Sequence, residues 1–192
     1  MLRMGNVLNK LFGILRQPHG AQLFEFALTL PIMLVVMIGI FDFGQAWNTK
    51  QKLANAVREG TRIGAAAPKN DLSQSTCANP SASSPCSVQA IADAVKQYMV
   101  NAGLSSASCI TQNAPTSQTG LAWTYTCGNG TSLTINRGAT FTATGGGPVE
   151  ATKVTLSYPY TWTLNRIIGL LPGGGSISLP ATITTDGMMQ NF

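Results

Sequence analysis

The sequence predicts an α+β fold in which a long N-terminal membrane and stalk helix precedes a small domain with a helix packed on an antiparallel sheet. An uncharged apolar run leads into an amphipathic pattern of helical period, and beyond residue 121 apolar residues recur at every second position, as in half-buried strands. The 192 residues therefore divide into a basic leader over 1–20, a transmembrane and stalk helix over 21–67, and an exported domain over 68–192.

Charge is sparse and unevenly placed. Charged residues make up 10% of the chain, against about 25% in an ordinary globular protein. The net charge is +5, but the basic residues of the leader are not balanced by any acid, and without it nine basic face seven acidic residues. No Lys/Arg cluster is interleaved with aromatics, so we expect no nucleic-acid partner.

The uncharged run over 26–41 predicts the membrane span. Sixteen helical residues extend about 24 Å at 1.5 Å each, slightly less than a hydrocarbon core of about 30 Å. The flanking residues complete the span and bring Glu25 and Asp42 to its two boundaries. Pro31 lies inside the run, where a membrane helix tolerates it as a kink. The alternative is a buried helix of a soluble protein.

No helix breaker separates this run from the amphipathic segment that follows, so one helix is expected to continue to Pro68. Its apolar face combines Leu53, Ala56, Val57, Gly60, Ile63 and Gly64. Basic residues lie on both sides of the span and do not decide its orientation. The cysteines and the polar composition that follow favour a C-terminal part outside the cell membrane.

The exported domain is expected to begin with a loop over 68–87. Ser87 is the predicted cap of a second helix, and Gly103 its stop. The apolar stripe of that helix is Val88, Ile91, Val95, Tyr98, Met99 and Ala102.

Alternating residues then predict the strands, with Asn129-Gly130 as a hairpin turn and with Pro159 and Pro180 confined to edges or interruptions. The alternating sets are Leu121 to Cys127, Leu133 with Ile135, Val154 to Tyr158, Tyr160 to Leu164, and Ile177 to Ile183.

Four cysteines, Cys77, Cys86, Cys109 and Cys127, all follow the apolar run, which predicts disulfides in an exported domain. Three pairings are possible. We favour the local one, Cys77–Cys86 and Cys109–Cys127, because it closes short loops. A zinc site is not expected, since no C-x-x-C pair exists and the single histidine lies in the leader.

Three segments carry a family resemblance: Glu25-Phe-Ala-Leu-Thr-Leu-Pro31 preceded by Gly20, Ile40-Phe-Asp-Phe-Gly44, and Arg58-Glu-Gly-Thr-Arg62. Together they resemble prepilins of the type IV class and, more narrowly, the TadE-like minor pseudopilins of tight-adherence (Flp) pilus systems. The resemblance covers 20–67, about a quarter of the chain. The sequence departs from the family at Phe26, where many Flp-type prepilins have tyrosine.

The resemblance implies a mechanism. The leader stays in the cytoplasm, and a membrane prepilin peptidase cuts after Gly20 and leaves Ala21 as the new N-terminus. Glu25 and Phe26 then become the fifth and sixth mature residues and serve subunit docking among other pilins and minor pseudopilins. Because major Flp pilins are very short, the large domain implies a minor or initiating subunit. The protein would reside in the inner or cytoplasmic membrane as a single-pass protein and could enter an extracellular pilus.

The chemistry of Glu25 agrees with a docking role. A carboxylate at a bilayer edge is costly unless it is paired, and the first turn of a helix favours negative charge. The α-ammonium group of a neighbouring subunit is a natural partner. The alternative is that Glu25 is only an interfacial residue among lipid headgroups.

Other functions have weaker support in the sequence. Asp71-Leu-Ser-Gln-Ser75 fits the D-x-S-x-S metal-ion pattern of von Willebrand factor A domains, but a solvated loop is the expected reading because Pro68 and not a buried strand precedes it. No histidine follows the leader and no G-x-S-x-G motif occurs, so we expect neither an enzyme nor a cofactor, a metal or a small-molecule substrate.

Two other processing states remain open. Gly44-Gln-Ala46 loosely resembles a signal-peptidase site, and cleavage there would release a secreted protein that starts at Trp47. The second alternative is an unprocessed, membrane-anchored binding domain.

Overall fold

A computed structural model describes residues 18–73, 84–110, 114–142, 146–168 and 178–191. It confirms the predicted class, with a long N-terminal helix followed by a small α+β domain that has a helix and a five-stranded antiparallel sheet. The leader residues before 18 and Cys77 lie outside the described residues.

Helix α1, Pro18–Ala66, is the continuous helix that the sequence predicts. It begins three residues before the predicted helix over 21–67, because Pro18, His19 and Gly20 also belong to it. Proline is compatible with the first helical turn because the amide it lacks has no partner there. Pro31 lies inside α1 without ending it.

The chain forms two compact units. Among the described residues, the first unit contains 18–44 and 162–168, and the second contains 45–161 and 178–191. The unit boundary therefore falls within α1, after Gly44.

Helix α2, Cys86–Asn101, carries the predicted apolar stripe, with Val88, Ile91, Val95 and Met99 fully buried. Gly103 ends it with a φ of +84°, a left-handed conformation that favours glycine. The prediction for its start is wrong: Pro85 is the N-cap and Ser87 lies inside the helix. A short 3-10 helix, Ser105–Cys109, follows.

The sheet is an antiparallel meander in which each strand pairs with its neighbours in sequence. Its strands are β1 Ser117–Thr119, β2 Ala122–Thr126, β3 Ser132–Thr142, β4 Pro148–Pro159 and β5 Thr182–Gln190. The predicted Asn129-Gly130 turn joins β2 to β3, with Gly130 at a φ of +89°. The pairing of β3 with β4 shifts register between Asn136 and Ala139.

The prediction of a strand over Tyr160 to Leu164 is wrong. Strand β4 ends at Pro159, and Thr163–Ile168 forms the short helix α3. The side chain of Asp42 accepts a hydrogen bond from the backbone amide of Leu164, which satisfies an amide of the first helical turn that has no acceptor within α3.

The last strand is also displaced from its prediction. It begins at Thr182, two residues after Pro180, because proline cannot donate to a strand ladder. Strand β5 continues to Gln190 and so includes Asp186 to Met189, whereas the predicted alternating pattern ended at Ile183.

The core of the second unit lies between the sheet, α2 and the second half of α1. Leu53, Ala56 and Val57 of α1 belong to one buried cluster together with side chains of α2 and the sheet. Trp123 is 1% exposed and is the largest fully buried side chain in the described part of the chain. The C-terminal half of α1 is thus part of the domain core.

Candidate functional site

The predicted processing and docking residues lie near the start of α1. Gly20 and Ala21 are helical. Glu25 is exposed, and Phe26 is 60% exposed. Cleavage after Gly20 and docking through Glu25 and Phe26 stay predictions.

The first half of α1 presents apolar side chains all around its surface. Within the described ranges, α1 is the one helix long and apolar enough to cross a membrane. Its exposed large apolar residues are Leu23, Phe24, Phe26, Leu28, Leu30, Ile32, Met33, Leu34, Val36, Met37, Ile40, Phe41 and Phe43. Such a surface is unfavourable in water and suits lipid or other apolar helices.

Asp42 directly follows this apolar run and is only 3% exposed. Its Oδ2 accepts a hydrogen bond of 2.9 Å from the Leu164 amide. An isolated carboxylate at the edge of an apolar region is costly, and a hydrogen bond from a backbone amide offsets part of that cost. The sequence placed Asp42 at the boundary but gave no partner for it.

Glycines let the second half of α1 pack closely against the rest of its unit. A Cβ on Gly60 would lie 2.6 Å from Val95 Cγ2, and one on Gly64 would lie 2.5 Å from Thr152 Cγ2. Gly187 lies on β5, and a Cβ on it would lie 2.7 Å from Val57 Cγ1 of α1. All three distances are shorter than real Cβ contacts allow. The central glycine of Arg58-Glu-Gly-Thr-Arg62 therefore has a packing role.

Arg137 is a buried cation at the C-terminal end of α1, with 1% exposure. Its guanidinium donates to the carbonyl oxygens of Gly64, Ala67 and Pro68 and to Thr152 Oγ1. The last carbonyls of a helix have no partner within it and carry partial negative charge. Arg137 therefore supplies both the missing donors and a favourable charge.

The environment of Arg137 opposes its charge only in part. Burial lowers the pKa of its guanidinium, and the negative charge of Asp71 acts in the opposite direction. Thr152 extends the network by donating to Asn191 Oδ1 at 2.6 Å. The network thus joins the end of α1 to β3, β4 and the residue that follows β5.

Asp71 and Lys52 satisfy the two ends of α2. The Asp71 carboxylate accepts hydrogen bonds from the backbone amide and the hydroxyl of Ser87, at 2.6 and 3.0 Å. Lys52 Nζ donates to the Ala102 carbonyl at 2.8 Å. Each charge has the sign that the helix dipole favours at its end. Asp71, which begins the D-x-S-x-S pattern, therefore has a structural role, while Ser75 lies outside the described residues.

The other acidic residues of the domain do not converge on one site. Glu150 pairs with Lys69, and Asp186 pairs with Lys153 at 3.4 Å. Hydrogen bonding to Lys69 lowers the pKa of Glu150, whose side chain is exposed. Within the described segments, no three His, Cys, Asp or Glu residues are grouped as metal ligands would be. The absence of enzymatic activity stays a prediction.

A disulfide joins Cys109 and Cys127, with their Cα atoms 5.9 Å apart. It ties the 3-10 helix to the end of β2. Cys86, at the start of α2, is also disulfide-bonded, and the predicted pairing of Cys77 with Cys86 stays a prediction. Closing the loop between Cys109 and Cys127 stabilises the domain by about 3 kcal/mol in the chain-entropy account.

Arg137 is not among the residues predicted from the sequence, although a signal for its burial is present. Leu133 and Ile135 point to the core, and the same period of two places residue 137 on the buried face. A buried arginine requires acceptors, and the final turn of a nearby helix is a source of free carbonyls.

Comparison with known proteins gives one match. The family model described as TadE-like protein matches residues 20–62. A search of curated proteins gives no match, and neither does a search of solved structures. The matched segment begins at the predicted processing residue, includes the whole apolar run, and ends beside the close contact of Gly60. The match over residues 20–62 therefore confirms the resemblance to the TadE-like family that the three sequence segments indicated.

Proposed function

We propose that this protein is a minor pseudopilin that takes part in assembly of a tight-adherence (Flp-type) pilus. It is anchored by α1 in the inner or cytoplasmic membrane, is processed by a prepilin peptidase after Gly20, and holds its domain outside. It acts by contact with other pilins and minor pseudopilins and not by catalysis. The observation that carries the proposal is the TadE-like match over 20–62, which coincides with a helix whose first half is apolar and exposed.

The two halves of α1 support separate tasks. The exposed apolar half suits insertion in lipid and packing among other pilin helices. The second half contributes to the domain core, through Gly60 and Gly64 among others. A minor subunit with a domain combines an anchor that can leave the bilayer for a helical bundle with a folded domain attached to it.

The alternative cleavage after Ala46 has less support. Ala46 is 7% exposed, and α1 continues through it without a break. The helical period thus continues past Ala46 without a break after the apolar run, whereas a signal peptide ends at its cleavage site. An unprocessed membrane anchor remains the second candidate.

The mature N-terminus tests the proposal. When the chain is expressed with a prepilin peptidase of a tight-adherence system, we expect intact-mass measurement of the membrane fraction to show loss of residues 1–20. Gly20→Ala should retain the leader, because the scissile bond is defined by that glycine. Gly39→Ala, in the same helix with open space around it, is the matched control and should be processed normally. A mature chain that starts at Trp47, or an uncleaved wild type, would contradict the proposal.

Glu25 gives a second test, whose readout is association with other pilins and not cleavage. We expect Glu25→Gln to be processed but to lose most of its co-purification with other pilins, because the amide cannot form an ion pair with a neighbour's α-ammonium group. Glu59→Gln is the control, since Glu59 pairs with Arg62 on its own helix and should leave co-purification unchanged. Equal recovery of pilins with wild type and Glu25→Gln would rule out a docking role for this carboxylate.

A further inference from the structure

We propose that residues 162–168 form a second membrane contact, which lies in the headgroup region of the leaflet on the domain side of the span. The inference rests on the proposed function in one respect, namely that the first half of α1 crosses the bilayer. It adds that the exported chain returns to the membrane surface between β4 and β5.

The depth of this segment follows from one hydrogen bond. Asp42 is the first charged residue after the uncharged run over 26–41, so it marks the level at which the hydrocarbon region ends. The Leu164 amide lies 2.9 Å from Asp42 Oδ2. Residues 162–168 and the first half of α1 also belong to the same compact unit. The backbone at Leu164 is therefore held at the depth of the interface.

The side chains of the segment suit that depth. Trp162, Leu164 and Ile167 are partly exposed, and Arg166 is exposed. Tryptophan is enriched at membrane interfaces, where its ring reaches apolar chains and its N–H remains near polar groups. Arginine can place its stem along apolar chains while its guanidinium contacts lipid phosphates. A surface of this composition suits contact with lipid headgroups and with the upper part of the acyl chains.

Asp42 gives a reason for the segment to stay there. A carboxylate directly beside the hydrocarbon region is costly unless it is shielded and hydrogen-bonded. With 3% exposure and an amide donor, Asp42 is both shielded and hydrogen-bonded. The contact thus lowers the cost of the charge and holds residues 162–168 against the span. Asp42 is a positioning residue for the membrane contact.

Depth-dependent quenching tests this inference on the full chain. The protein is reconstituted in vesicles of phosphatidylethanolamine and phosphatidylglycerol, with an environment-sensitive fluorophore on a single added cysteine. The test site is Thr163→Cys, because Thr163 is exposed at the start of α3. Val36→Cys reports on the span, and Thr140→Cys, exposed on β3, reports on the domain. Labelling is done without reductant, and the unmodified chain is the blank.

We expect nitroxide-bearing lipids to cause a loss of fluorescence at positions 163 and 36 and none at 140. Quenching at 36 without quenching at 163 would overturn the inference and leave the membrane span intact. Absence of quenching at 36 would overturn the span itself, and with it the proposed function. Quenching at 163 equal to that at 140 would point to a protein neighbour or to solvent and would also overturn the inference.

Variants of Asp42 test its positioning role. Asp42→Ala removes the acceptor of the Leu164 amide, so quenching at 163 should fall while quenching at 36 is unchanged. Asp42→Asn keeps a side-chain carbonyl in the same place and should retain most of the quenching at 163. Unchanged quenching at 163 in Asp42→Ala would exclude Asp42 as the residue that holds the segment.

Discussion

Replacing Arg137 with methionine is expected to lower the free energy of unfolding of the domain by about 3 kcal/mol. The guanidinium donates to three carbonyls at the end of α1 and to Thr152. Methionine replaces the apolar stem of arginine but has no donor, so these buried acceptors lose their partners. Removing the desolvation cost of the cation offsets part of the loss.

Urea unfolding of the detergent-solubilised full chain, followed by tryptophan fluorescence, measures this effect, because Trp123 is buried in the same unit. Arg137→Lys should lose less stability, since it keeps the charge but cannot reach all four acceptors at once. Arg58→Met, on the exposed surface of α1, is the matched control. If the Arg137→Met variant unfolds at the wild-type urea concentration, hydrophobic replacement fully compensates and the capping role assigned to Arg137 is wrong.

Gly64→Ala is expected to destabilise the domain by about 1–2 kcal/mol, although alanine is the better helix former by about 1 kcal/mol. The new Cβ would lie 2.5 Å from Thr152 Cγ2 and 3.0 Å from Ile91 Cδ1. Thr152 cannot rotate away easily, because its hydroxyl accepts from Arg137 and donates to Asn191. Steric overlap should therefore outweigh the gain in helix propensity.

Gly44→Ala provides the comparison in the same unfolding experiment. A Cβ at Gly44 would meet no described atom within 4 Å, so only the change in propensity remains. We expect this variant to be as stable as wild type or slightly more stable. The close packing of α1 would be refuted if both alanine variants shifted the urea midpoint in the same direction by the same amount.

Local patterns in the sequence predicted most of the fold. The uncharged run and the unbroken helical period predicted one continuous helix, because no two adjacent Gly or Pro residues interrupt it before Pro68. The period of two located β2, β3 and β4, and Asn129-Gly130 gave the hairpin. These features depend on residues close together in the chain.

The features that the sequence did not predict depend on distant residues. Ser87 has the chemistry of a cap, but the cap function passes to Asp71, sixteen residues earlier. Tyr160 to Leu164 alternate like a strand, yet the Leu164 amide donates a hydrogen bond to Asp42, 122 residues away, and lies in the first turn of helix α3. The role of Arg137 also depends on distant residues, because its acceptors at the end of α1 are about 70 residues away in the sequence.

The close packing of α1 has a consequence for where the folded domain begins in the chain. Leu53, Ala56 and Val57 form one wall of the domain core, so the sequence-based boundary at residue 68 leaves that core incomplete. Residues 68–192 alone therefore lack the wall of the core that the second half of α1 supplies. Any soluble fragment intended to contain the whole core has to begin near Gln45, where the second compact unit begins.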